Sequence, residues 1–250
     1  MNILSIGNSF SQDAQRYLHR IAKADGYDLN TFNLYIGGCP LSAQYRHMLS
    51  DERAYTLEMN GASTGFKVSI KEALLNRNWD VVTVQQASHM STDYETYQPY
   101  IEKLVEYIKM CAPKAKIAIH QTWAYEQGSP RLCEKMGYKH HTEMYEDIKK
   151  AYKQAFEDTK ANMMIPSGEL FQQLLKNGIP MVHRDTFHAS YGLGRYALGL
   201  LWYSVLTGND IKDNSFRDFD EEVSKDELET AKKCVAEICG FKRYTGVDFL

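Results

Sequence analysis

The strongest constraint on this chain is an alternation of short apolar runs with segments of helical period. Ile3-Leu4-Ser5-Ile6, Asp28 to Ile36, Trp79 to Val84, Lys116 to His120 and Asn162 to Pro166 read as five strands. Helical patterns separate them. In Tyr97 to Cys111, for example, Ile101, Leu104, Val105 and Ile108 share one face, and a long helix is expected from His141 to Thr159. Strands that alternate with helices build a parallel sheet covered on both faces. The expected fold is therefore α/β, a three-layer α/β/α arrangement around a central, mostly parallel five-stranded sheet. Ala54 to Ile70 reads differently. Tyr55, Leu57 and Met59 alternate, Asn60-Gly61 marks a turn, and Phe66, Val68 and Ile70 alternate again, which is a small β-hairpin insertion. Neither a repeat nor a low-complexity linker interrupts the pattern. One domain is expected over residues 1–250, with a core to about 206 and a charged tail from about 214 that ends in a helix, Lys225 to Ile238.

Composition excludes several classes of function. Lys+Arg is 29 against Asp+Glu 32, for a net charge of −3, and no basic stripe is visible, so nucleic acid is not an expected partner. Apolar runs stay short of the roughly 18 residues that a membrane helix needs. Strand signal begins at residue 2, so the chain as written reads as cytoplasmic, though a trimmed secreted chain would look the same. Five cysteines form no CxxC pair and read as reduced thiols; Cys39 lies beside a glycine turn, where exposure is open. The histidines, His140-His141 and His183/His188 included, lack a zinc spacing. Neither a metal nor another cofactor is expected.

Chemistry-bearing residues gather at the predicted carboxyl ends of the strands, where ligands of open α/β sheets bind. The first strand stops at Gly7, read as a sharp turn, and presents Ser9 before a helix carrying Ala14, Leu18, Ile21 and Ala22. A serine there meets backbone N–H groups that favour developing negative charge. Ser9 followed by Gln12 also fits a capping box, which leaves the serine two readings. Gly37-Gly38 ends the second strand, Gln85-Gln86 the third, and His120-Gln121 the fourth, with Trp123 and Tyr125 just beyond. Residues 126–138 read as a loop excursion, a candidate lid or pocket wall. Asp185 and His188 stand three residues apart, so both side chains can face one way, the carboxylate holding one ring nitrogen and the other aimed at a serine. Gly61-Ala62-Ser63-Thr64-Gly65 matches G-x-S-x-G, the nucleophile elbow of another hydrolase fold. That elbow needs a buried strand before it and a helix after it. The flanks of Ser63 alternate as hairpin strands do.

With these residues in view, the chain resembles the SGNH (GDSL-like) hydrolases, and its Ile6-Gly7-Asn8-Ser9-Phe10 start is similar to the DUF4886 branch of that superfamily. The nucleophile block is Gly7-Asn8-Ser9-Phe10, with Asn8 where the wider family usually has Asp. The glycine block is Gly37-Gly38. Gln85-Gln86-Ala87-Ser88 stands where the third block usually offers an Asn after a glycine, which is a departure. Asp185-Thr186-Phe187-His188 matches the last block. The resemblance spans about residues 1–206 and implies a flavodoxin-like SGNH hydrolase fold and a hydrolase acting on esters.

On that basis Ser9, Asp185 and His188 are the expected catalytic residues. Backbone N–H groups of Ser9 and Gly38, with the side chain of Gln86 in preference to Gln85, are the expected oxyanion donors. Gln85, His120, Trp123 and Tyr125 are expected to line the substrate pocket; aromatic faces suit sugar rings, so an O-acetylated carbohydrate is the favoured substrate class, with core and wall packing the other reading of the same rings. The expected partner is a small-molecule ester. A non-catalytic carbohydrate-binding protein and an acyltransferase on the same triad are the rival readings. A nucleotide-binding module lacks the glycine-rich loop it would need.

Overall fold

The computed structural model describes residues 1–241. The tail beyond residue 241, part of the expected charged tail, lies outside the described residues. Nine helices and seven strands are present among the described residues. Five strands are parallel: β1 (Asn2–Gly7), β2 (Asn30–Tyr35), β5 (Val81–Val84), β6 (Lys116–Gln121) and β7 (Met163–Pro166). β3 (Tyr55–Met59) and β4 (Ala62–Val68) form the expected hairpin. The hairpin is not a separate insertion. β3 pairs antiparallel with β2, with Leu34 opposite Leu57, so one seven-stranded sheet runs β4-β3-β2-β1-β5-β6-β7. Sequence alternation identified the hairpin but not its partner, because pairing between distant strands leaves no local signal.

The parallel part explains its own composition. β5, Val-Val-Thr-Val, is buried along its whole length, as a strand covered on both faces must be. The order of the parallel strands reverses direction around β1: β2 lies on one side and β5 on the other. A crevice opens outside the strand ends at such a switch point. The chain leaving β1 enters this crevice.

Helices cover both faces. On one side lie α1 (Ser9–Gln15), α2 (Leu18–Ala24), α7 (Ser167–Lys176), α8 (Leu193–Thr207) and α9 (Lys225–Phe241). On the other lie α3 (Leu41–Ser50), α4 (Ile70–Leu75), α5 (Tyr100–Cys111) and α6 (His141–Thr159). α8 is apolar nearly all round and sits in the middle of its layer, against α1, α2, α7 and α9. The single helix expected after β1 is two, broken at Arg16 and Tyr17. No helix of the described residues is long and apolar enough to cross a membrane.

Candidate active site

Asn8, not Ser9, caps α1. Its Oδ1 accepts the Phe10 N–H at 3.0 Å, and Ser11 Oγ accepts the Asn8 N–H at 3.1 Å. The box is thus Asn8 with Ser11 rather than Ser9 with Gln12, and the Ser9 hydroxyl is released from capping. Ser9 is the first residue of the helix, so its own N–H is one of the donors that an α-helix leaves without an internal acceptor. Gly7 turns out to be a steric requirement rather than a conformational one: a Cβ there would lie 2.1 Å from Ser11 Oγ.

The Ser9 hydroxyl meets a histidine carried 179 residues further on. His188 Nε2 lies 2.8 Å from Ser9 Oγ, and His188 Nδ1 lies 2.7 Å from Asp185 Oδ2. With Nδ1 donating to the carboxylate, Nε2 is the lone-pair nitrogen and accepts from the serine. Burial pushes the Asp185 carboxyl up. The hydrogen bonds from the His188 ring and backbone N–H, with the charges of His188 and Arg184, outweigh it and hold the group below the usual carboxylate range. Asp185 therefore stays ionised at neutral pH and can stabilise an imidazolium.

Irregular backbone makes this geometry. Thr186 has φ +74°, in the left-handed region that a β-branched residue avoids. The strained loop is held from several sides. Glu126 N–H donates to Thr186 O at 2.8 Å, Trp123 Nε1 to Phe187 O at 2.8 Å, and Arg184 N–H to His188 O at 3.0 Å.

Beneath the loop lies Asp13, fully buried on α1. Its two oxygens accept from Arg184 Nη1 at 2.9 Å, Arg195 Nε at 2.9 Å and the Ala189 N–H at 3.1 Å. The helix that bears Ser9 is thereby tied to the loop that bears His188. Sequence reasoning passed over Asp13. A signal was present: it stands among Phe10, Ala14 and Tyr17 on the helix face that packs inward, where an acid needs a buried partner.

The glycine turn joins the same rim. Gly38 has φ +63°, and the turn is closed by Cys39 N–H donating to Ile36 O at 3.2 Å, a bond that does not use the Gly38 N–H. Asn8 Nδ2 donates to Cys39 O at 3.3 Å, linking this turn to the start of α1. Cys39 itself is buried, and burial pushes its thiol up to about 11, so it is no nucleophile.

Several expected site residues are displaced by their own hydrogen bonds. Gln86 is fully buried. Its amide N–H groups go to Thr96 O and Oγ1, and its Oε1 accepts from the Leu41 and Ala87 N–H groups, so it has no donor left for an oxyanion. Gln85 donates to Asn8 Oδ1 at 2.8 Å, and its Oε1 lies 2.7 Å from His120 Nδ1. His120 is fully buried between Gln85 and Ser167, and burial pushes it down to about 3; it is a neutral strut, not a pocket wall. Trp123 is core as well, stacked on Phe10 at 4.1 Å and Phe171 at 4.6 Å. Tyr125 is buried with its hydroxyl 2.9 Å from Ser88 Oγ. The polarity of these strand exits signalled a site. It could not show that the polar groups satisfy one another.

Ser63 lies exposed on edge strand β4, with its Oγ accepting the Gly65 N–H at 3.3 Å. Residues 126–138 are an excursion with one turn of π-helix, Arg131–Lys135, pinned to the 185–188 loop through Glu126. A cavity of about 160 Å³, lined by Glu126, Gln127, His141, Met181 and His183 among others, opens behind that loop and includes neither Ser9 nor His188.

Comparison with known proteins gives the family and the fold. The family described as a domain of unknown function, DUF4886, matches residues 2–237. No curated protein matches the sequence. Among solved structures, a DUF4886 family protein from Bacteroides uniformis superposes with a TM-score of 0.89 at 29% identity, over 100% of this chain and 99% of that one. A candidate SGNH hydrolase from Slackia heliotrinireducens gives a TM-score of 0.60 at 25% identity, over 82% of this chain and 97% of that one. Est24, a carbohydrate acetylesterase from Sinorhizobium meliloti, shares the fold with a TM-score of 0.51 at 15% identity, over 83% and 97% of the two chains.

Proposed function

The chain belongs to the DUF4886 family, and from that premise we propose that it is a serine ester hydrolase acting through Ser9, His188 and Asp185. The observation that carries the reading is the hydrogen-bonded series Asp185 Oδ2, His188 Nδ1, His188 Nε2, Ser9 Oγ, with links of 2.7 and 2.8 Å. His188 takes the Ser9 proton as Oγ bonds to the acyl carbon. The carbonyl oxygen gains the charge. The Ser9 N–H at the start of α1 and the Gly38 N–H of the glycine turn receive it, each such donor being typically worth about 3 kcal/mol in the transition state. His188 then gives its proton to the departing alcohol. Water, deprotonated by the same imidazole, releases the acid and restores Ser9.

The substrate class is a small acyl ester, acetyl first, on a carbohydrate alcohol. Est24 supports this only through a shared fold, which hosts many chemistries. Trp123 and Tyr125, buried, do not support it as sugar platforms. A binding-only role gains nothing from a serine held on the free nitrogen of a carboxylate-oriented histidine.

A fluorophosphonate provides the test. Incubation followed by peptide mass spectrometry should find the adduct on Ser9, and turnover of an activated acetyl ester should cease in step. An adduct on Ser63, or ester turnover that survives complete labelling of Ser9, would overturn the assignment.

A further inference from the structure

Resting on the serine-esterase reading, we propose that Arg131 recognises an anionic group on the substrate. Arg131 opens the π-helical turn of the excursion. Its Cζ lies 3.7 Å from the centroid of the Phe187 ring, and that ring lies 3.8 Å from the imidazole of His188. The guanidinium is therefore two stacking contacts from the group that handles the proton. Tyr125, on the other side, presents its ring to Arg131 at 5.8 Å.

What sets this arginine apart from its neighbours is its set of partners. Arg184 and Arg195 are both held by Asp13, and Arg16 is held by Asp220. Among the described residues, Arg131 has no carboxylate within ion-pairing distance. Its contacts are the faces of two aromatic rings, Phe187 and Tyr125. His89, just beyond β5, has its pKa lowered by burial and then by the charge of Arg131. A half-buried cation with aromatic faces around it and donors to spare binds an anion more strongly than a solvated one does.

The acyl carbonyl must lie between Ser9 Oγ and the donors of Ser9 and Gly38. The leaving oxygen must lie at His188 Nε2, which protonates it. A cation on the ring that flanks the imidazole stands beside the group that handles the proton, and the chemistry that fits it is an acyl ester that also carries a carboxylate, such as an acylated uronic acid.

The test compares kcat/KM for O-acetylated methyl glucuronoside and O-acetylated methyl glucoside. Wild type should favour the anionic ester about tenfold to a hundredfold, the range of one charged hydrogen bond. In Arg131→Gln the ratio should fall toward one, in Arg131→Lys it should be partly retained, and in Lys135→Gln, on the same turn, it should stay within about twofold of wild type. A second arm needs no turnover: calorimetry of methyl glucuronoside with Ser9→Ala, then with Ser9→Ala/Arg131→Gln, should show binding that depends on Arg131. A wild-type ratio near one, or a preference that survives Arg131→Gln in correctly folded protein, overturns the proposal. If neither ester is turned over while glucuronoside binding still requires Arg131, the esterase reading fails and the anion site stands.

Discussion

Two serines in this chain follow a glycine-bearing motif, and they stand in opposite circumstances. Ser63 sits in a full G-x-S-x-G on an exposed edge hairpin, its hydroxyl serving a local backbone N–H. Ser9 sits in a plainer Gly-Asn-Ser, only 9% exposed, and its hydroxyl meets an imidazole from the far end of the chain. The comparison teaches that a nucleophile is made by what converges on it. At Ser9 the cap belongs to the preceding Asn8, the helix offers its first N–H, and a buried acid on the same helix fixes the loop bearing the base. At Ser63 nothing converges.

The largest effect that separates the two is kinetic. Ser9→Ala should lower kcat for an activated acetyl ester by about 10⁴-fold or more, and Ser63→Ala by less than about twofold, measured in parallel with background hydrolysis subtracted. Equal losses would dissolve the distinction.

The supports beneath the two regions differ next. Asp13 faces two guanidinium groups, and Asp13→Asn removes the buried countercharge they share, leaving Arg195 only Asp220 and Arg184 only the more distant Asp185, a loss of about 3–5 kcal/mol in urea denaturation. Glu58, on the hairpin strand β3, is the other buried acid among the described residues. It accepts from Asn33 at 2.8 Å and from Gln12, and burial raises its pKa. With no cation against it among the described residues, Glu58→Gln should cost only about 1 kcal/mol. Comparable losses at the two sites would mean that Asp13 is not the special anchor.

The smallest effect is one of pH. Burial pushes His120 down to about 3 and His183 down to about 4. Both lie on the Ser9 side of the sheet, and the hairpin has no histidine. As pH falls below about 6.5, the unfolded chain takes protons that the folded one refuses, so stability falls toward pH 4 by up to about 1.4 kcal/mol per pH unit for each group. His120→Asn should flatten the slope of urea midpoints between pH 6.5 and 4. A slope unchanged by the substitution would remove His120 from the account.

Strand–helix alternation made the sheet, its parallel core and the hairpin readable from the chain, and the long α6 was bounded at His141 and Thr159 by periodicity alone. Ser9, Asp185 and His188 were each visible as residues at strand or loop ends. Gln86, His120, Trp123 and Tyr125 misled, because a polar or aromatic residue at a strand exit looks the same in sequence whether it faces a ligand or a buried partner. Cys39 showed the same ambiguity and proved buried.

The amino-acid order by itself determined the layers, since hydrophobic period acts over a few residues and needs no distant partner. It also placed a serine, an acid and a histidine on segments that a parallel sheet brings to one edge. Only the tertiary structure decided that Asn8 caps so that Ser9 need not, that Thr186 bends through a strained conformation in the loop that carries His188, that Asp13 holds two arginines beneath the loop, and that Arg131 stacks on Phe187 with no carboxylate partner among the described residues. Each of these depends on contacts between segments far apart in the chain, whose energies exist only once the core has brought them together.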